Sequence, residues 1–107
     1  MFIALYRWKV KEGREENFLE GWHRLTEEIY RQSGSLGSRL HRAEDGTWVG
    51  YAQWPDRQTY DAARNIPGID AEARAMFRES IEEAYPDIYM NVTDDLLRAS
   101  VFPKQKS

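Results

Sequence analysis

Along the first ten residues the side chains alternate in a way that only an extended chain can use. Phe2, Ala4, Tyr6 and Trp8 share one parity and Ile3 and Leu5 share the other. Successive side chains of a strand point to opposite faces, so this stretch predicts a strand over Phe2–Val10 with apolar cover on both sides. Lys11-Glu12-Gly13 breaks the pattern, and the period then changes. Phe18, Trp22, Leu25 and Ile29 recur at spacings of four, three and four, one stripe of a helix from about Arg14 to Gln32. Glu20–Arg24 and Glu27–Arg31 stand four apart on its polar side, in the favourable order for exposed ion pairs. Gly34 is the natural left-handed stop.

Two further strand-like runs follow, joined at Asp45-Gly46. A two-residue type I′ turn centred on that dipeptide pairs Glu44 with Thr47 and so sets a register. Ala43 then faces Trp48, His41 faces Gly50, Arg39 faces Ala52 and Gly37 faces Trp54, all on one side of the sheet. Leu40, Arg42, Val49, Tyr51 and Gln53 take the other side. In this register Trp48 and Trp54 flank a gap at Gly50 and Ala52, with His41 across it, which would line a small pocket.

Asp56 is placed to cap a short helix through Asn65, and Asp70 to cap another over Ala71–Ala84. Ala73, Met76, Phe77, Ile81 and Ala84 would form the buried side of the latter. Tyr85-Pro86 stops it, and Ile88–Val92 alternates as a last strand. Asp94-Asp95 end the regular pattern, leaving a tail from about residue 98 in which Phe102–Ser107 is polar apart from Phe102 and Pro103. The order β-α-β-β-α-β, with its second helix in two pieces, is an α+β, ferredoxin-like plan in a single domain: an antiparallel four-stranded sheet with its helices on one face. The opposite face carries Ile3, Leu5, Leu40, Val49 and Tyr51. A face that apolar favours association, and a second copy is the simplest cover, giving a homodimer in which two sheets form a barrel and Leu40, Val49 and Tyr51 meet the partner.

Composition narrows the classes. The 107 residues carry a net charge of −3 and no cysteine. Acids and bases are interspersed, with no basic stripe to follow a phosphate backbone, so nucleic acid is discounted. Without cysteine there are no disulfides, thiolate nucleophiles or zinc sites of the usual kind. The N-terminal run is interrupted by Arg7 and Lys9 and is too short to span a bilayer, so a cytoplasmic protein with no membrane partner is expected. Several residues carry candidate chemistry, each beside a plainer role. His41 could accept a proton or simply lie at the surface near a turn. His23 sits on the flank of the first helix, too far from His41 for a metal site, and no metal is expected. Trp54 is a core plug or a donor. Tyr60 should face inward with a hydroxyl in need of a partner, and Arg74 is either solvated or turned to a ligand.

The stretch His41–Tyr60, HRAEDGTWVGYAQWPDRQTY, resembles the corresponding segment of the antibiotic biosynthesis monooxygenase superfamily, above all in DGT followed by YAQW. The likeness is strongest to the cofactor-free branch that oxidises anthrone-like phenols to quinones in aromatic polyketide pathways, and the haem-degrading branch matches less well. The resemblance implies a dimeric α/β barrel and a monooxygenase using dioxygen without a cofactor. It also implies an anthrone-, phenol- or hydroquinone-like substrate, handled by Trp54, Tyr60, Arg74 and His41; Phe18, Trp22, Trp48, Gly50 and Tyr6 would then wall it. Gly50 stands where that branch has a pocket asparagine, and the strand between turn and tryptophan is one residue shorter here. Beside this stand a non-catalytic reading, a barrel that binds a hydrophobic ligand or only oligomerises, and an isomerase or lactone-processing enzyme on the same fold.

Overall fold

A computed structural model describes residues 1–98; the tail predicted beyond them lies outside the described residues. The chain runs β1 (Phe2–Val10), α1 (Glu15–Gln32), β2 (Gly37–Arg42), β3 (Trp48–Trp54), α2 (Arg57–Ala63), α3 (Ala71–Ser80), β4 (Ile81–Ala84) and β5 (Ile88–Asn91). The sheet is antiparallel, in the order β2-β3-β1-β4, with β5 also paired to β1. β4 lies along Trp8–Val10 and β5 along Phe2–Leu5, so the two act as one edge strand interrupted at Tyr85-Pro86-Asp87, where the Tyr85 N–H still donates to the Arg7 carbonyl at 3.0 Å. This is the ferredoxin-like plan expected, with the fourth strand in two parts. No helix among the described residues is long and apolar enough to cross a membrane.

The pairing of β1 with β3 decides what faces inward. Phe2 pairs with Trp54, Ala4 with Ala52, Tyr6 with Gly50 and Trp8 with Trp48, and all of these except Tyr6 are buried. Two apolar groups result on the helix-covered side. One gathers Phe2, Ala4, Ala52, Trp54 and Tyr60. The other gathers Trp8, Phe18 and Trp48, with Trp22, Leu40 and Phe77 packed against it. Tyr6 touches both groups.

Two expectations are corrected. The hairpin loop has three residues, not two: Ala43 N–H donates to Thr47 O at 2.8 Å, and Gly46 N–H donates to Ala43 O at 2.9 Å. Gly46 takes φ +89° and no non-glycine residue among the described ones has positive φ, so Asp45 is not in the conformation that type I′ demands. The loop is a type I turn followed by a left-handed glycine. Asp45 has other work, its carboxylate accepting from the Thr47 N–H at 2.9 Å and the Thr47 hydroxyl at 2.6 Å. The register therefore shifts by one: Leu40 pairs with Gly50 and His41 with Val49. All of β2 changes face, Leu40 turning toward the helices and His41 away from them. The second correction concerns α3, which ends at Ser80 rather than Ala84. Ile81–Ala84 leaves the helix to pair with β1, whose edge offers unpaired backbone groups, and Lys11 N–H reaches Ser80 O at 2.9 Å at the junction.

α1 and α3 pack with their backbones in near contact at Gly21. A Cβ there would stand 2.8 Å from the Phe77 nitrogen and 3.0 Å from the Ala73 carbonyl oxygen. Gly→Ala within a free helix gains about 1 kcal/mol, but here the obstacle is backbone. Gly21→Ala is expected to cost roughly 1–3 kcal/mol instead, read as a lower midpoint in denaturant.

Three aspartates are held below the usual carboxylate range. Asp45 is lowered by the Thr47 hydroxyl and N–H, Asp56 by the Thr59 N–H and hydroxyl as the cap of α2, and Asp70 by Arg24 and the Ala73 N–H as the cap of α3. A carboxylate favoured in the folded chain contributes stability that is full above its unfolded value and lost as pH falls through its lower folded one. The melting temperature is thus expected to drop as pH is lowered from neutral through and below the carboxylate range, and Asp70→Asn should flatten part of that slope.

Candidate functional site

Small residues at the middle of the β1–β3 row leave space that the helices do not fill. A cavity of about 320 Å³ opens there between the two apolar groups. Tyr6, Trp8, Gly50, Ala52 and Trp54 line it from the sheet, Trp22, Leu25, Thr26 and Ile29 from α1, and Phe77 from α3. It adjoins an open groove between α1 and β2, bordered by Leu19, His23, Leu40 and Trp48 and sharing Trp22 and Ser38 with the cavity. The walls are mainly aromatic and aliphatic, suited to a flat apolar molecule carrying few polar groups.

Trp54 is 4 % exposed, and its indole N–H is buried without a hydrogen-bond partner among the described residues. An unmet buried donor is costly, and here it belongs to a residue of the cavity wall. Tyr6, Ser38 and Tyr51 are the hydroxyl-bearing residues that line the cavity from the sheet, and the Tyr6 hydroxyl lies 2.9 Å from that of Tyr60. Tyr60 lies behind Tyr6, 3 % exposed, and its hydroxyl donates to that of Tyr89 at 3.2 Å. Tyr89 in turn donates to the Asp87 carboxylate at 3.2 Å. Burial raises the Tyr6 phenol above its ordinary value and lifts Tyr60 to about 12, while the bond to Tyr60, then burial, lifts Tyr89 to about 12. All three stay protonated at neutral pH.

Gly50 forms part of the cavity wall and leaves room for a ring. A Cβ at this position would lie 2.9 Å from Cη2 and 3.0 Å from Cζ3 of Trp8, and 3.7 Å from the Trp22 indole nitrogen. Trp8 is itself held by Tyr6, stacked at 5.8 Å between centroids, and by Phe18 and Phe77 edge-on at 5.5 and 5.4 Å. The space a larger side chain would take at position 50 is filled by indole.

Of the residues singled out in the sequence, Trp54, Tyr6, Trp22 and Gly50 meet at the cavity, and Tyr60 stands one hydrogen bond behind it. Phe18 is wholly buried beneath Trp8 and Trp48, and Trp48 borders the groove rather than the cavity. His41 is exposed on the other face of the sheet, its Nδ1 3.2 Å from the Val49 carbonyl oxygen. Arg74 packs against Gly68, with Glu28 nearby, and does not line the cavity. Leu40 borders the groove on the helix side, so of the three residues assigned to a partner only Val49 and Tyr51 lie on the outer face. Beyond the residues expected from the sequence, the helix residues Leu25, Thr26, Ile29 and Phe77 line the cavity, and Tyr89 and Asp87 stand behind Tyr60. Parity on the last strand would have found Tyr89, which pairs with Ala4 and so shares its inward side. Among the described residues no three His, Asp or Glu side chains gather as ligands of a metal ion would.

The model of one protein family, described as antibiotic biosynthesis monooxygenase, matches residues 1–75. The chain belongs to that family. No curated protein matches it, whereas the fold is widely shared among solved structures. SnoaB, a cofactor-independent oxygenase from Streptomyces nogalater, superposes with a TM-score of 0.75 at 20% identity, over 91% of this chain and 97% of its own. Rv0793 from Mycobacterium tuberculosis gives 0.72 at 14% identity, over 90% and 98%. A putative antibiotic biosynthesis monooxygenase from Bordetella bronchiseptica gives 0.72 at 18%, over 86% and 96%. At such identities the likeness speaks for the fold. At position 50 the cavity wall has no side chain of its own, and the Trp8 ring occupies that space.

Gly50→Ala is expected to displace the Trp8 ring and cost roughly 1–3 kcal/mol. The companion Trp8→Phe, Gly50→Ala double variant should recover part of that loss, since the smaller ring makes room. Chemical denaturation of the three variants reads this coupling.

Proposed function

We propose that this family member is a cofactor-independent monooxygenase that binds an anthrone-, phenol- or hydroquinone-like aromatic in the cavity and oxidises it with dioxygen. The observation that carries the reading is the Trp54 N–H, a buried donor without a partner among the described residues, on a side chain that lines an aromatic cavity. Dioxygen is a triplet, and two-electron insertion into an organic molecule is spin-forbidden. A deprotonated phenol or enol evades this by giving up one electron first. The resulting radical and superoxide combine to a peroxide, and for an anthrone loss of water then leaves a carbonyl, so that CH₂ and O₂ become C=O and H₂O.

The chain's part is to favour the anion, hold it flat and keep water out. The Trp54 N–H would donate to the oxygen on which charge develops, and in a dry site one such donor is typically worth ~3 kcal/mol. Trp8, Trp22 and Phe77 supply faces and edges for stacking. Arg74 is not needed for this arrangement, and neither is His41.

The outer face of the sheet supports the dimer expected from the pattern. Ile88 and Met90 extend the apolar row of Leu5, Val49 and Tyr51 at 52% and 38% exposure, and Leu96 and Leu97 beyond them are 88% and 83% exposed. A second copy of the chain would cover this surface.

A binding role without chemistry is favoured by one feature, the indole that fills the space at Gly50 where the resembling branch carries an asparagine. Oxygen uptake separates the two. Purified protein mixed with a panel of anthrones and hydroquinones under air, without additives, should consume oxygen above the buffer rate. Trp54→Phe should lower kcat about 100-fold and Arg74→Leu should leave it nearly unchanged. Tight binding across the panel with no oxygen consumed would establish the binding role instead.

A further inference from the structure

The hydroxyls behind the cavity form a continuous line from its wall to the surface. Tyr6 lines the cavity and Tyr60 is buried, whereas Asp87 is exposed. Successive contacts are 2.9 Å for Tyr6–Tyr60, 3.2 Å for Tyr60–Tyr89 and 3.2 Å for Tyr89–Asp87. Three separate elements, β1, α2 and β5, each contribute one tyrosine.

The groups at the outer end fix the direction of every bond. A guanidinium can only donate and an ionised carboxylate can only accept. Arg64 donates to the Tyr89 oxygen at 3.5 Å, and Asp87 accepts from it. The Tyr89 proton therefore points to Asp87, the Tyr60 proton to Tyr89 and the Tyr6 proton to Tyr60. What remains for the cavity is the Tyr6 oxygen with a free lone pair. That oxygen is an acceptor on a cavity whose lining also includes Trp54.

We propose that Tyr6, Tyr60, Tyr89 and Asp87 are a proton relay that takes the hydroxyl proton of a bound phenol or enol out of the cavity to solvent. The inference rests on the reading of the cavity given above and deepens it, because it selects substrates with an O–H that can reach Tyr6. In the step, the substrate O–H breaks as its proton joins the Tyr6 oxygen. The Tyr6 proton passes to Tyr60, that of Tyr60 to Tyr89, and that of Tyr89 to the Asp87 carboxylate, which releases it to water. No electrons change hands, and the substrate is left as its anion.

The raised values of all three phenols mean that none ionises alone near neutral pH, so the handover is concerted. Among the described residues, Arg57, Arg64 and Asp87 are the charged groups that face the line. Arg64 lies 5.6 Å from the Tyr60 ring centroid, Arg57 lies 5.9 Å from that centroid and 4.7 Å from that of Tyr89, and Asp87 closes the end. Two cations beside the conduit disfavour a proton resting on it and speed its exit toward the single carboxylate.

A network that merely satisfies buried hydroxyls would have the same geometry, so the test must move a proton. Asp87→Asn keeps an oxygen that accepts from Tyr89 but cannot carry the proton away, and Tyr89→Phe cuts the line. With 4-nitrophenol as the probe, ionisation of the bound phenol is followed by phenolate absorbance after a temperature jump, using the full chain. Both variants are expected to slow the relaxation at least tenfold with the probe's Kd unchanged, and Tyr30→Phe, remote from the line, should leave both unchanged. Equal relaxation rates in wild type, Asp87→Asn and Tyr89→Phe at equal Kd would overturn the relay while leaving the proposed oxidation standing. Failure of the wild-type chain to bind the probe would overturn both. Oxygen plays no part in this assay, so a chain that binds phenols without oxidising them still decides the question.

Discussion

The row of facing pairs between β1 and β3 is the constraint on which the rest depends. Read inward from the ends, it sets Phe2 against Trp54 and Trp8 against Trp48, and between them Ala4 against Ala52 and Tyr6 against Gly50. Large rings stand at both ends, and between them Ala4, Ala52 and Gly50 leave a space beneath the helices that the Tyr6 ring lines without filling. Close packing is the rule in protein interiors, so a gap of this kind persists only because its walls are too rigid to collapse. Trp8 is held by Phe18 and Phe77, and Trp54 is packed edge-on against Tyr60 at 5.5 Å. The cavity is thus a product of residue sizes along two strands.

The polar groups of the site follow from the same row. Trp54 and Tyr6 share the inward parity, and both side chains line the same cavity. Tyr60 approaches from α2, whose start is set by the Asp56 carboxylate bonded to the Thr59 N–H at 2.7 Å. Tyr89 arrives on β5 by pairing with Ala4. Each of the three tyrosines is placed by backbone hydrogen bonds of its own element, and their hydroxyls meet because those elements converge on the same end of the sheet. In the proposed oxidation, proton movement and anion stabilisation would fall to different side chains, Tyr6 and Trp54.

Position 50 shows how a family fold is refitted. A glycine next to a cavity reads in isolation as a lost side chain. Here it is the condition for Trp8 to lie across the strand, and the indole replaces what a branched or polar residue would have supplied. The Trp8 ring encloses the site at this position, and under the proposed function Trp54 and Tyr6 would be left to orient a ligand held mainly by apolar surface.

Periodicity alone settled much of this. The parity of β1, the stripe of α1, the caps at Asp56 and Asp70 and the inward set Trp48, Gly50, Ala52 and Trp54 are local properties, written in alternation and spacing that one face of one element must obey. The face of β2 was not settled in that way. Asp45-Gly46 suits both a two-residue and a three-residue loop, and Gly37–Arg42 holds a single large apolar residue, Leu40, to indicate which side is buried. The Asp45–Thr47 contacts chose the longer loop, and with it sent His41 outward. Likewise Ile81 and Ala84 continue a helical spacing, and only the open edge of β1 turned them into a strand. The tyrosine line is the furthest from the sequence, because its members lie on three elements and nothing local encodes the distance between them. Side-chain period is a property of one segment, whereas register, edge pairing and the meeting of hydroxyls are properties of how segments are brought together.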